Sequence, residues 1–262
     1  MRPLLLGLVF SFLAMPALAC QLTLQGPAKQ GGLLIGSAPA GAKVSVDGRA
    51  VRVAPDGRFL VGFGRDAKVK TKVLALTSDG HTLACPVVIA KRTYQVQRID
   101  GLPKRQVTPD PVAIARIKKD NAAIGRVRRL DTASTDFAAP FIWPVKGRIS
   151  GIFGSQRILN GKPRSPHNGV DIAAPKGTPI VAPAPGVVAL VHPDMFYTGK
   201  SVMLDHGHGL SSVYVHMSDI SVKQGQRVAK GEMIGKVGKT GRATGPHLHW
   251  GVSLFATHLD PM

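Results

Sequence analysis

Apart from one stretch near its middle, this chain never sustains an apolar period of 3.6 residues. Its hydrophobic positions come in short, valine-bearing runs cut off every few residues by glycine or proline. With 30 glycines and 20 prolines in 262 residues, long helices have little room to propagate. The pattern predicts an all-β protein. Residues 20–99 carry the runs LTL, GLLIGS, AKVSVDGRAV, GRFLVGF, KTKVLALTS and DGHTLACPVVIA, each bounded by turn residues. Within them Asp47-Gly48 separates Val44 and Val46 from Val51 and Val53, a hairpin signal because glycine accepts a positive φ. Regular spacing of this kind predicts a small β-sandwich, immunoglobulin-like in type. From Phe141 onward, GRISGIF, TPIVAPAPGVVALV, KSVMLDHG, LSSVYVHM, QRVAKGEMIGKVG and HLHWGVSLF predict a second, antiparallel β domain over 137–262.

The exception lies between the two, in residues 100–136. Asp110-Pro111 is a capping residue followed by a favoured first helical residue, and Ile114, Ile117, Ile124 and Val127 fall roughly along one side of the helix that follows. Such a helix either docks on a neighbouring domain or stays a solvated connector with a basic outer face.

The first 19 residues, MRPLLLGLVFSFLAMPALA, combine Arg2, an apolar run and a small-residue end, the layout of a cleavable secretory signal. The mature chain then begins at Cys20 and works outside the cytoplasm, in a periplasm-type compartment. Cys20 directly after the cleavage point also raises a lipoprotein, but Ala17-Leu18-Ala19 makes a poor acylation signal. Two cysteines in an oxidising compartment instead predict a disulfide between Cys20 and Cys85. One of the 34 basic residues and none of the 15 acidic ones precede Cys20, leaving a formal charge of +18. That field favours anionic partners. Export and the lack of a recognition motif with interleaved aromatics argue against nucleic acid, which leaves anionic lipid or the acidic polymers of a cell envelope.

Eight of the nine histidines lie beyond residue 166. His167 and Asp171 stand four apart around an Asn-Gly turn, His216 closes the run SVYVHM, and His247 and His249 alternate with Leu248, Trp250 and Val252. If the last run is a strand, both of its histidines project from one face. A catalytic zinc takes three protein ligands from imidazole nitrogen and carboxylate oxygen and leaves one position for water. His167, Asp171 and one of the two strand histidines could supply them, with the other and His216 beside the water as proton carriers. No His-Glu-x-x-His, Gly-x-Ser-x-Gly elbow or phosphate-cradling loop competes.

The ordered set His167-x-x-x-Asp171, GTPIVAPAPGVV, SSVYVHMS and KGEMIGKVGKTGRATGPHLHWGV resembles the lysostaphin/LytM-type zinc metallopeptidases, which cut peptide cross-links in bacterial cell walls. The resemblance runs from about Phe141 to Met262, and one segment departs from it, reading Ala243-Thr244-Gly245-Pro246-His247 where the family has Ser first. It implies Zn2+ held by His167, Asp171 and His249, with His216 and His247 assisting hydrolysis of an amide bond. It also implies peptidoglycan as substrate, with the D-alanyl–diaminopimelate cross-link favoured over polyglycine by the export signal and disulfide. Relatives that have lost ligands act as activators or wall-binding regulators of other hydrolases, but this chain keeps all five residues. A carrier-type hairpin, suggested by QGQRVAKGEMIGKVG, lacks a modifiable lysine at its tip. The loop from Arg157 to Arg164 could rim the cleft, His206 and His208 read as turn residues, and His81, His192 and His258 read as surface.

Overall fold

The computed structural model describes residues 20–262, so the expected signal at 1–19 lies outside the described residues. The described chain is built almost wholly of antiparallel strands, with one long helix. The fold is all-β.

Alternation writes the first unit. In Lys70–Leu76 the residues Thr71, Val73 and Ala75 point inward while Lys70 and Lys72 face solvent. The strand order Thr23–Gln25, Leu33–Ser37, Arg58–Gly62 makes one sheet, and Arg49–Val51, Lys43–Val46, Lys70–Leu76, Thr82–Val88 makes the other. Both contribute to one core, with Leu34, Phe59 and Val61 from the first and Val44, Val73, Ala75 and Val87 from the second. The chain crosses between sheets after Ser37, after Val51 and after Gly62, giving the immunoglobulin-like sandwich expected. Asp47 and Gly48 both have positive φ and join Val46 to Arg49 in a two-residue hairpin. A disulfide joins Cys20 to Cys85 and ties the first described residue to the strand Thr82–Val88.

Val96–Ile99 falls within the span assigned above to the sandwich, yet it pairs with neither of its sheets. It runs parallel to Gln156–Leu159 of the second unit. The short helix Lys104–Val107 follows, and Leu102 and Val107 pack with Leu159.

The helix Pro111–Val127 begins where the sequence places it, with Asp110 accepting a hydrogen bond from Ala113 N at 2.7 Å. Its buried face is shifted from the expected stripe: Val127 is buried and Ile124 packs beside it as expected, but Ala113, Asp120 and Ala123 are the other buried residues, whereas Ile114 is 43% exposed. Small residues win because the helix lies close on the hairpin formed by Gly186–Met195 and Gly199–Asp205, where Ala123 and Val127 meet Leu190, Met195 and Met203. Asp120 is drawn inward to accept from Phe196 N at 2.8 Å. Of the two roles open to this helix, the structure shows docking.

The second unit centres on a sheet ordered Arg227–Val228, Gly186–Met195, Gly199–Asp205, Leu210–Met217, His247–Leu254, Val170–Ala173, Arg148–Gly151. A three-stranded sheet of Pro179–Val181, Met233–Lys236 and Asp219–Ile220 covers one side of it. Ile172, Ile180, Leu204, Tyr214, Leu248 and Trp250 fill the space between them. Burying that face leaves the alternate residues of the central strands on the other, which becomes the floor of a cleft.

Candidate metal centre

Cross-strand register sets the site. In the antiparallel pair, Asp171 lies opposite His249 and Ala173 opposite His247, while Val215 faces His249 from the other neighbouring strand. Leu248 and Trp250 point into the core, so His247 and His249 share the cleft face. His216, next to last in the strand Leu210–Met217, has φ +62°, a conformation rare for a residue with a Cβ. Its N–H is nonetheless bonded to Thr198 O at 2.8 Å. Strain of this kind concentrates at sites that need a side chain aimed in one direction.

Two glycines keep the space open. A Cβ on Gly169 would lie 2.4 Å from Trp250 O and 2.9 Å from the His249 ring, and one on Gly151 would lie 2.6 Å from Asp171 Oδ2. Here glycine is required by close approach, since φ at neither position is in the left-handed region.

Three donor atoms converge. His167 Nε2 and His249 Nδ1 lie 2.9 Å apart. Asp171 Oδ1 is 2.9 Å from the first and 2.8 Å from the second. All three residues offer ligand atoms within 4.8 Å of one another. His167 Nδ1 donates to Ile152 O at 3.1 Å, which turns the Nε2 lone pair toward the carboxylate. Lone pairs of two imidazoles and a carboxylate converge in this way around a positive centre, and this donor set suits a divalent metal ion.

The other two histidines are prepared alike. His216 Nδ1 donates to Thr240 O at 2.7 Å and His247 Nδ1 to Gly245 O at 2.9 Å, leaving each Nε2 free. Their ring centroids are 4.7 Å apart. His247 Nε2 lies 3.9 Å from Asp171 Oδ1, near the centre but outside bonding distance.

Electrostatics follow burial. Burial opposes ionisation of Asp171, but the imidazoles of His167 and His249 against it outweigh that effect and hold its carboxyl well below the usual range. Burial pushes His249 down to about 4, against the pull of Asp171. His216 is pushed down to about 3, first by burial and then by His247 and His249.

Arg157 is more than a rim residue. Its Nη2 donates to Asp171 Oδ2 at 2.6 Å and its Nε to Gln97 Oε1 at 3.3 Å. A pocket of about 330 Å3 opens on this side, reached by Asp171, His216 and His247 and walled by Gln97, Arg148 and Arg242. Sequence reasoning missed Gln97 and Thr240, because neither belongs to a metal-ligating residue type. His206 is fully buried, donating from Nδ1 to Pro185 O and accepting at Nε2 from Ser212, so it is structural. His208 is buried against Phe137. His258, expected at the surface, is partly buried beside Ser253, because its strand Thr257–Leu259 folds back on His247–Leu254.

Residues 165–261 match the model of "Peptidase family M23". The crystal structure of a peptidase M23 from Pseudomonas aeruginosa superposes with a TM-score of 0.69 at 32% identity, covering 89% of this chain and 93% of that one. The chain belongs to peptidase family M23. All five residues of the cluster fall inside the M23 match, whereas Gln97 and Arg157, which line or tether the site, precede it. Among M23 relatives, the peptidoglycan DD-endopeptidase ShyA of Vibrio cholerae is 45% identical over 108 residues, which is 40% of this chain and 24% of that protein. The DD-carboxypeptidase/endopeptidase Mpg of Neisseria meningitidis is 44% identical over 96 residues, 37% of this chain and 22% of that protein. The matched stretch thus spans about a quarter of the length of these curated relatives or less.

Proposed function

We propose that this chain is a zinc-dependent endopeptidase that hydrolyses peptide cross-links of peptidoglycan, with the D-alanyl–diaminopimelate bond as its target. The observation that carries the reading is the division of labour among five residues. Asp171, His167 and His249 bring three ligand atoms together, while His216 and His247 stand beside them with Nε2 unengaged. The names of the relatives point to the same polymer.

His167, Asp171 and His249 would hold the ion. When bound, a zinc ion of this coordination acidifies water and polarises a carbonyl. The chain's own residues do the rest. Arg157 fixes the Asp171 carboxylate through Oδ2, and the Ile152 carbonyl fixes the His167 ring. Of His216 and His247, one accepts the proton of the attacking water at Nε2. The ring so protonated then gives that proton to the leaving amine and returns to neutral, while the other ring lines the cleft beside the oxygen on which negative charge develops. Sheet and pocket walls hold the scissile amide against this pair.

Export to a periplasm-type compartment, read from residues 1–19, would bring the enzyme to its substrate. The net charge, +19 for the whole sequence, favours retention on an anionic polymer. The test is mass analysis of purified cross-linked peptidoglycan after digestion. Loss of dimeric muropeptides with monomers rising, abolished by a chelator and restored by zinc, supports the reading; unchanged dimers with zinc present remove it.

A further inference from the structure

Two pockets border the cluster. Asp171, His216 and His247 line the one described above, and His249 lines another of about 280 Å3. The second pocket is walled by the docked helix through Asn121 and Arg128 and by Asn168, Thr198 and His258 of the second unit. The second pocket is thus within reach of a peptide whose scissile bond lies at the cluster.

Among the described residues, Arg128 in this pocket has no counterpart: its Nε is buried without a hydrogen-bond partner, and no carboxylate lines the pocket. Burial alone holds its guanidinium below its ordinary value, with no acidic group offsetting the effect. The arginine caps the helix Pro111–Val127, and a helix C-terminus attracts a cation. That attraction explains a basic residue at this position but supplies no acceptor for its buried donor. His258 adds no charge at neutral pH, because burial and then Arg128 push it down to about 4. A buried guanidinium N–H without an acceptor is costly, and the planar fork that carries it matches a carboxylate in geometry as well as sign.

We propose that this pocket is a subsite for a free carboxylate of the bound peptide, read by Arg128. The proposal rests on the endopeptidase reading of the cluster, and it names what that reading leaves open, the feature of the substrate that is recognised beside the scissile bond. A diaminopimelate cross-link carries such a group on the carbon that bears the scissile nitrogen. A polyglycine bridge does not. Specificity would then reside in a helix that lies ahead of the M23 match rather than in the M23 residues themselves.

The experiment uses two synthetic D-alanyl–diaminopimelate peptides that differ only in a carboxylate or a carboxamide at that carbon. Each is offered to the mature full-length chain and to Arg128→Gln and Arg128→Lys, with affinity read by calorimetry on chelator-treated protein and kcat/KM read on zinc-loaded protein. The expected result is at least a tenfold preference for the carboxylate in the parent chain, the scale of a charge-assisted contact. Arg128→Gln should abolish that preference while leaving the carboxamide peptide within about twofold, and Arg128→Lys should keep part of it. Equal handling of the two peptides, equal losses on both in Arg128→Gln, or binding of neither overturns the subsite. Dimeric muropeptides cleaved without any such preference would leave the endopeptidase reading standing and remove the subsite alone. Carboxylate-selective binding without hydrolysis of either peptide would do the reverse.

Discussion

Arg157 Nη2 lies 2.6 Å from Oδ2 of Asp171, the carboxylate oxygen turned away from His167 and His249. Oδ1, which faces those histidines, is thereby left to the metal centre. A partner of this kind orients a ligand and raises the precision of a site without touching the ion. Replacing Arg157 with Leu should weaken zinc binding by about 10–100-fold while leaving the fold intact. Competition against a chromophoric chelator measures it, and unchanged affinity would make the ion pair incidental.

Gly169→Ala places a Cβ 2.4 Å from Trp250 O and against the His249 ring. The strand pair must part or the imidazole must turn, so about 1–3 kcal/mol of stability should go, together with metal affinity. Chemical denaturation and metal content check both. A variant as stable and as metal-rich as the parent would show that the loop yields freely.

The Cys20–Cys85 disulfide closes a loop of 65 residues around the sandwich. Cys20→Ser should lose about 2–5 kcal/mol from that unit. The cluster, built in the other unit, should keep its metal. Loss of metal in a folded Cys20→Ser protein would show that the sandwich supports the cluster through the face where Leu33, Ile35 and Leu60 pack into the second unit's core.

His206 sets an acid limit on stability. Burial is the main cause that lowers its pKa, with the Pro185 carbonyl pulling the other way. Its pKa in the folded state lies below the value of about 6.5 expected of the unfolded chain, so the unfolded chain takes up the proton first as pH falls. This contribution is complete above about pH 6.5 and declines from there down to the folded pKa, at no more than about 1.4 kcal/mol per pH unit. Urea denaturation between pH 7.5 and 5.5 should therefore show a steeper decline for the parent than for His206→Gln. Parallel slopes would contradict the assignment.

Much of this architecture is legible in the sequence because its cause is local. Alternation in HLHWGV suffices to put Leu248 and Trp250 in the core and both histidines on the opposite face, and Asp47-Gly48 needs only its own φ preferences to make a hairpin. What cannot be read depends on partners distant in sequence. The helix keeps Ile124 and Val127 of its expected stripe against the hairpin it lies on, but turns Ala113, Ala123 and Asp120 inward in place of Ile114. Val96–Ile99 falls in the span assigned to the sandwich, and its true partner is apparent only when Gln156–Leu159 is seen beside it. Arg157 looks like any basic loop residue until Asp171 is placed 2.6 Å away. Arg128 is inconspicuous for the same reason, since only the packed structure shows its Nε to lack an acceptor.

The most direct test of the central claim is metal content per chain for the parent, His249→Ala and His247→Ala proteins, each shown to be folded. The account expects one zinc in the parent and in His247→Ala, whose ring stands beside the cluster, and none in His249→Ala, whose Nδ1 is one of the three converging ligand atoms. Zinc retained by His249→Ala, or lost from a folded His247→Ala, would contradict it.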